Sequence, residues 1–399
     1  MKKNVLIINI GWEQERLVEV LSEYEVNIYA INASEKWNKE LPVKNVVQID
    51  YRDLPSILRY AQEVRPVAVV ADQCDYSYFA SAIVSEKLGL PGPSLAAAQK
   101  TTNKWIQREC LKNTAVPQPA YRLCRFYSEV EAAADEIGYP VVVKPIDNRG
   151  SFGVNRVNQH GELRLAYQTA LANAHSRMVL VEDFIHGVHI TVDGYNFPRS
   201  GHRSLALASK TMLGGDKQVA MEIVYPGDIP ASHYQNSMNV NAMVVRELGL
   251  SFGMTHAEYM IDDAGTPYLI EIANRGGGVL TSSVIVPEVS GVDVTRQLVV
   301  DALGLNQELQ LPTSPCDASA CLSFFRFEPG LLSRVEGVER VFGDSQVLAF
   351  KLMAKLGDTI TSIDSDGSRH GFVITRGRTP SDARAAVQRV KASVRPIYS

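Results

Sequence analysis

Little in the chain would mark a metal-cluster, secreted or membrane protein. Its five cysteines, Cys74, Cys110, Cys124, Cys316 and Cys321, are odd in number and scattered, with no CxxC pair. That excludes a zinc-ribbon or disulfide framework and points to reduced thiols in a cytoplasmic setting. No apolar run approaches the ~20 residues that a bilayer-spanning helix needs, so no membrane partner is expected. The opening MKKNVLIINIG begins with charge, but its apolar run is short. A charged helical stretch, GWEQERLVEVL, follows with no small-residue cleavage site, and the segment reads as a first strand. A strong charge of one sign is also missing. The net value of −4 gives no reason to expect nucleic acid or an anionic surface. There is no internal repeat and no low-complexity tract. No GxGxxG follows the first strand, which removes the usual dinucleotide site, and no GK[ST] opens a helix as a P-loop would.

What is present is an ordinary globular composition, 45% hydrophobic and 21% charged, over 399 residues, too many for one core. Over residues 4–90 the strands VLIINI, VNIYAI, NVVQI and VAVVA alternate with helical segments at Glu13–Tyr24, Leu54–Val64 and Tyr76–Leu88. Such alternation predicts a parallel, helix-covered sheet. Pro91-Gly92-Pro93 ends this unit, giving an N-terminal α/β domain over 1–93. A helix begins near Ser94 and carries KTTNKWIQRECLKN. A second small α/β pattern spans about 116–186, and a strand-rich core continues to 311. PTSPCD at 312–317 reads as a linker to a C-terminal α+β domain over 312–399, rich in strands and ending in a helix at Ser381–Val394.

The chemistry concentrates in His256–Gly278, HAEYMIDDAGTPYLIEIANRGGG. Two half-alternating strands flank Asp-Ala-Gly-Thr, a hairpin signal. With Ala264-Gly265 as a two-residue turn, Asp263 pairs with Thr266 and Glu258 falls opposite Glu271. Facing like charges are destabilising unless a cation sits between them, and paired carboxylates suit Mg²⁺. Asn274 offers a third oxygen, Arg275 a planar fork for carboxylate or phosphate, and Gly276–Gly278 room for close backbone approach. An exposed hairpin with glutamates in water would read the same way.

Three more stretches carry candidate residues. Lys144 ends a buried-looking strand before PIDNRGSFGV, where Ser151, Phe152 and Gly153 lie in a glycine loop that could cradle an anion. Lys104 and Arg108 share one helix face, which taken alone reads as a solvated surface. In VLVEDFI, the residues Glu182, Asp183, Phe184 and Ile185 follow an apolar strand and could form a flat slot for an adenine ring.

In this order the segments resemble the ATP-grasp superfamily. EIANRGGG is similar to the ExxxR-plus-glycine form of carboxylate–amine ligases, notably L-amino-acid (dipeptide) ligases, as is the stretch GLLSRVEG, LGDTI and HGFVITRGRTPSDA. The resemblance covers most of the chain. It implies an ATP-grasp fold: an N-terminal parallel α/β domain, a two-part core over 94–311 with a lid near 116–186, and a β-rich C-terminal domain. It further implies ATP and two Mg²⁺ ions, with Mn²⁺ as a substitute. Lys104 and Lys144 would serve the phosphates, Glu182, Asp183 and Ile185 the adenine, and Glu258, Glu271 and Asn274 the metal. Arg275 would hold the reacting carboxylate. Many relatives carry an ExGxE run whose last glutamate holds the ribose; here the run is His186-Gly187-Val188-His189, so His189 stands at that place. Residues 148–154 would close as a lid, and SKTMLGGDK, with Lys210 and Lys217, would form a second loop over the phosphates. The implied reaction joins a small carboxylate and an amine, with no macromolecular substrate and with a homodimer compatible. Two alternatives share the fold: a carboxylating enzyme of biotin-carboxylase or purine-pathway type, and an inactive nucleotide-binding regulator. No AMKM-type biotin-attachment sequence accompanies the former.

Overall fold

The computed structural model describes residues 2–214, 217–312 and 316–399, with Lys217 by its backbone alone. The expected roles of Lys217 and of much of the PTSPCD linker therefore lie outside the described residues. The first sheet follows from strand alternation. In β1 (Lys3–Ile8), Val5 and Ile7 enter one apolar cluster while Leu6 and Ile8 enter another. Parallel neighbours β2 (Val26–Asn32), β3 (Asn45–Gln48) and β4 (Ala68–Val70) give the order β3-β2-β1-β4. Helix α1 (Glu15–Ser22) covers one face, and α2 (Leu54–Val64) and α3 (Asp75–Leu88) the other.

The single helix expected after Ser94 is two helices, α4 (Leu95–Thr102) and α5 (Lys104–Leu111). Asn103 breaks them: its backbone turns extended and its side chain accepts the Ile106 N–H as the N-cap of α5. Lys104 is thereby the first residue of a new helix. The small antiparallel sheet that follows has β5 (Tyr121–Cys124), β6 (Val141–Pro145), β7 (Asn155–Val157) and β8 (Val179–Asp183) in the order β5-β8-β6-β7. Helices α6 (Tyr127–Ile137) and α7 (His160–Ala172) bury their alanine and leucine faces on it.

The main sheet is built from β9 (Val188–Phe197), β10 (Gly201–Gly214), β11 (Lys217–Tyr225), β12 (Gly253–Ile261) and β13 (Pro267–Ala273). Helix α8 (Ala231–Leu248) packs on it, and α9 (Val286–Ser290) and α10 (Val294–Ala302) follow. Leu298, Val299 and Ala302 of α10 join the cluster under β1, so the N-terminal sheet is covered partly by a helix from much later in the chain. The C-terminal strands β14 (Ser319–Phe324), β15 (Gly330–Glu336), β16 (Val347–Leu352), β17 (Thr359–Ile360), β18 (Gly371–Gly377) and β19 (Arg395–Tyr398) accompany α11 (Val338–Val341) and α12 (Pro380–Ser393). Of these, β14, β18 and β16 extend the main sheet to the eight-stranded order β13-β12-β9-β10-β11-β14-β18-β16. The expected C-terminal domain thus shares its sheet with the core, and only β17-β15-β19 stands apart. No helix among the described residues is long and apolar enough to cross a membrane.

Candidate active site

Glu258 does pair with Glu271, although the route to that register differs from expectation. Ile261 pairs with Pro267, and the Asp262 carbonyl and carboxylate hold the chain return through Gly265 and Thr266. The loop is therefore one residue longer than a two-residue turn. A bulge at Ile270, between the Glu258–Glu271 and Tyr259–Leu269 pairs, shifts the register back by one. The two departures cancel.

Donors from three other elements, two of them ammonium groups, meet this pair. Lys104 Nζ lies 2.7 Å from Glu271 Oε2 and donates to the Asn148 carbonyl of the glycine loop at 2.8 Å. Lys210 Nζ, on β10, is 2.7 Å from Glu258 Oε1, and His189 Nε2, on β9, is 2.8 Å from Glu258 Oε2. Burial would raise the Glu258 carboxyl, but Lys210 and His189 outweigh it and hold the group well below the usual range. Burial and Lys210 together push His189 down, so the neutral ring donates from Nε2 and Glu258 accepts. His189 is thus engaged by a carboxylate rather than left open.

A second buried cluster lies beside the first. Glu182 accepts from Arg108 Nε at 2.8 Å and Lys144 Nζ at 2.6 Å, all three side chains being almost fully buried. Arg108 also donates to the Ile270 carbonyl, which fastens α5 to the bulge. The face carrying Lys104 and Arg108 is therefore interior. Burial pushes the Lys144 ammonium below the usual lysine range despite Glu182.

These groups line one cleft between the small sheet and the main sheet. It gathers Lys104, Lys144, Ser151, Phe152, Glu182, Asp183, Phe184, Ile185, His189, Glu258 and Glu271. Arg156 sits over the Phe184 ring at 4.1 Å, and Ser151 Oγ donates to the Gln218 carbonyl, tying the glycine loop to β11. With a volume of about 110 Å³ the cleft is closed below the roughly 300–1,000 Å³ of occupied ligand sites, so entry of a ligand of that size needs the loop to move.

Three expected residues lie elsewhere. A Cβ at Gly153 would lie 2.8 Å from Asn173 Cβ, so this glycine permits contact with the end of α7 instead of facing the cleft. Asn274 is buried, and its amide donates to the Phe252 and Met254 carbonyls. Alternation puts it on the face opposite Glu271, where the matching position is Ala273, so it delivers no oxygen to the carboxylate pair. Arg275 forms a two-point ion pair with Asp75 at 2.7 and 3.3 Å. It lines a neighbouring cavity of about 430 Å³ together with Tyr51, Tyr76, Phe79, Arg149, Lys104 and Glu271.

The glycine run packs onto the N-terminal sheet. Asp72 accepts the Gly276 N–H and Glu13 accepts the Val279 N–H, while burial raises both carboxyls. A Cβ at Gly276 would sit 2.6 Å from Asp72 Oδ1. Val279 and Leu280 then adopt φ of +53° and +60°, a strained pair that the surrounding contacts hold. Sequence reasoning did not single out Glu13, Asp72 or Asp75, since isolated acids after strands carry no motif. It also passed over His256, whose Nδ1 is 2.7 Å from Asp193 and whose pKa, despite burial, is raised to about 9 by Asp193 and Glu258.

Residues 137–283 match the ATP-grasp domain, and residues 323–399 match the L-amino acid ligase C-terminal domain 2. The chain is 26% identical over 332 residues to the Sinorhizobium fredii protein called "Uncharacterized protein y4rH", covering 82% of this chain and 68% of that one. It is 28% identical over 232 residues to a D-alanine–D-alanine ligase of Gloeobacter violaceus, covering 54% and 74%. In three dimensions it is similar to an L-amino acid ligase from Bacillus licheniformis, with a TM-score of 0.86 at 21% identity, over 100% of this chain and 99% of that one.

The Glu182 cluster sets a stability prediction. Glu182→Leu leaves Arg108 and Lys144 buried without their counter-ion and should cost about 3–5 kcal/mol in urea denaturation. Glu136→Ala, which breaks an exposed pair with Arg122, should be nearly neutral in the same assay.

Proposed function

The chain belongs to the ATP-grasp superfamily, carboxylate–amine ligase type, and on that premise we propose that it joins a small carboxylate to an amine through an acyl phosphate, releasing ADP and phosphate. The observation that carries this reading is the Glu258–Glu271 pair, set against Lys104 and Lys210 at the mouth of the Lys144–Glu182 cleft. ATP-grasp ligases use ATP and divalent metal ions. The donor set fits such an ion: two hard carboxylates face each other, and protein ammonium groups already stand at their oxygens. Glu258 and Glu271 would hold Mg²⁺, or Mn²⁺ in its place, which when bound neutralises charge on the terminal phosphates.

The chain's own residues divide the remaining work. Glu182, Asp183, Phe184 and Ile185 offer edge hydrogen bonds and an apolar wall to adenine. Lys104 and Lys144 meet the phosphates, and Ser151 and Phe152 close over them. His189 fixes the orientation of Glu258. A carboxylate oxygen of the first substrate attacks the γ-phosphorus and ADP leaves. The amine of the second attacks the acyl carbon, loses a proton, and phosphate departs with one of the original carboxylate oxygens. Arg275, whose Nε and one terminal nitrogen are held by Asp75, presents its remaining terminal N–H groups to the acyl group and its tetrahedral oxyanion. The closed glycine loop keeps water from the acyl phosphate.

Two substitutions test the assignment. Glu271→Gln removes a metal ligand and the counter-ion of Lys104 while relieving like-charge repulsion, so ADP formation should vanish while the protein stays folded with a modestly lowered melting temperature. Full activity in this variant, or wild-type turnover in EDTA, would contradict the metal site. Arg275→Lys keeps the charge against Asp75 but loses the fork. Carboxylate-dependent turnover should fall by about 10²-fold with ATP affinity little altered, as read by separate binding and single-turnover measurements. Weakened ATP binding with normal turnover at saturation would make Arg275 a nucleotide clamp instead.

A further inference from the structure

The glycine loop that closes the cleft is bent sharply. Gly150, Ser151 and Gly153 have φ of +63°, +60° and +76°, and at Ser151, which carries a Cβ, that conformation is strained. Contacts on several sides hold the loop there. Lys104 donates to the Asn148 carbonyl, and Ser151 Oγ donates to the Gln218 carbonyl on β11. A third contact comes from the far end of the chain. Phe152, still 42% exposed, brings the tip of its ring to Gly367, where an added Cβ would stand 3.2 Å from Phe152 Cζ. On the same side, a Cβ at Gly150 would lie 3.8 Å from Asp366 Cβ.

The turn that carries Gly367 is fastened in place. Its 3₁₀ segment, Asp366–Ser368, is closed by Ser368 Oγ, which accepts the Asp364 and Ser365 N–H groups at 2.9 and 3.1 Å. One terminal nitrogen of Arg369 is 2.6 Å from Asp366 Oδ1, and its guanidinium lies 3.8 Å over the Phe324 ring. Phe324 ends β14, which pairs with β11, so turn and glycine loop are anchored to neighbouring strands of one sheet. Gly367 itself does not have a left-handed φ, so its backbone would accept any side chain. Among the described residues outside its own turn, the one heavy atom within 4 Å of such a Cβ is Phe152 Cζ. The missing side chain therefore serves the loop and not the turn. We propose that residues 364–369 are the seat on which the nucleotide lid closes, with Gly367 a positioning residue that leaves room for Phe152 to land. The C-terminal segment thereby takes part in gating ATP. This rests on the reading of the cleft as a nucleotide site.

The test uses the full-length protein, Mg²⁺ and a non-hydrolysable ATP analogue, with affinity read by calorimetry and loop closure by hydrogen exchange over residues 148–154. Gly367→Val fills the seat. Affinity should fall by about 10-fold, the scale of overpacking one close contact, and the protection that the analogue gives the loop should shrink. Phe152→Ala alone should also weaken binding, since it removes the ring from the lid. The double variant decides the matter. With the ring gone, Gly367→Val should cost no more than about twofold further, because the two changes act on one contact. Equal losses in both backgrounds would mark Gly367 as merely structural and overturn the proposal, as would unaltered binding and exchange in Gly367→Val. If the valine variant does not fold, Gly367→Ala adds the Cβ alone, and the same dependence on Phe152 is expected at smaller amplitude; its absence overturns the seat. A wild type that neither binds the analogue nor gains protection would overturn the seat and the nucleotide reading together. Binding and background-dependent losses as expected, but no ADP formed from ATP with any carboxylate and amine, would support the seat and overturn the ligase reading alone.

Discussion

Two carboxylates facing each other across paired strands form an arrangement that a protein does not hold without compensation, and the rest of the site is arranged around that constraint. The compensating groups come from separate parts of the chain: the charges of Lys104 from the first turn of α5 and Lys210 from β10, and the N–H of neutral His189 from β9. Lys104 also holds the glycine loop through the Asn148 carbonyl, so one side chain joins a helix, a loop and the two-carboxylate hairpin. Because these groups are partly buried, their mutual interactions are less screened than at the surface, and loss of one partner leaves another charge poorly solvated. Lys104, which stabilises the pair here, is also one of the two lysines the proposed reaction needs at the phosphates.

The N-terminal sheet takes part in this construction. Its core is continuous with that of the main sheet through α10, and its acids reach the end of the hairpin. Glu13 and Asp72 accept backbone N–H groups of the glycine run, and Asp75 fixes Arg275. These contacts hold Val279 and Leu280 in a strained conformation, with Val279 at the wall of a cavity of about 120 Å³ beside Glu258. The cavities thus arise where three pieces of chain meet, which is a common location for ligand sites.

Much of the architecture was legible because it rests on periodicity. The alternation of β-branched runs and amphipathic helices over 4–90 reads directly as the parallel sheet, and the small α/β unit reads the same way. The Glu258–Glu271 pairing was also legible, yet through two errors that cancel, since neither the longer loop nor the Ile270 bulge has a sequence marker. Asn274 misled because composition, three residues after Glu271, does not say which strand face a side chain takes. Lys104 and Arg108 looked like a solvated face because burial of that face depends on β8 and β13, both distant in sequence. Arg369 was invisible for a similar reason: its setting depends on β14 extending the main sheet and on a loop returning to Glu258, and nothing local to Asp-Gly-Ser-Arg states either.

The central claim is that the cleft activates a carboxylate by phosphorylating it. The direct measurement is oxygen transfer. A donor labelled with ¹⁸O in both carboxylate oxygens is incubated with the enzyme, ATP, Mg²⁺ and an amino-acid acceptor, and the inorganic phosphate is examined by mass spectrometry. The account predicts one ¹⁸O in each phosphate released, because the attacking carboxylate oxygen leaves with phosphorus when the amine displaces it. Unlabelled phosphate formed along with the amide, or labelled AMP in place of labelled phosphate, would contradict it.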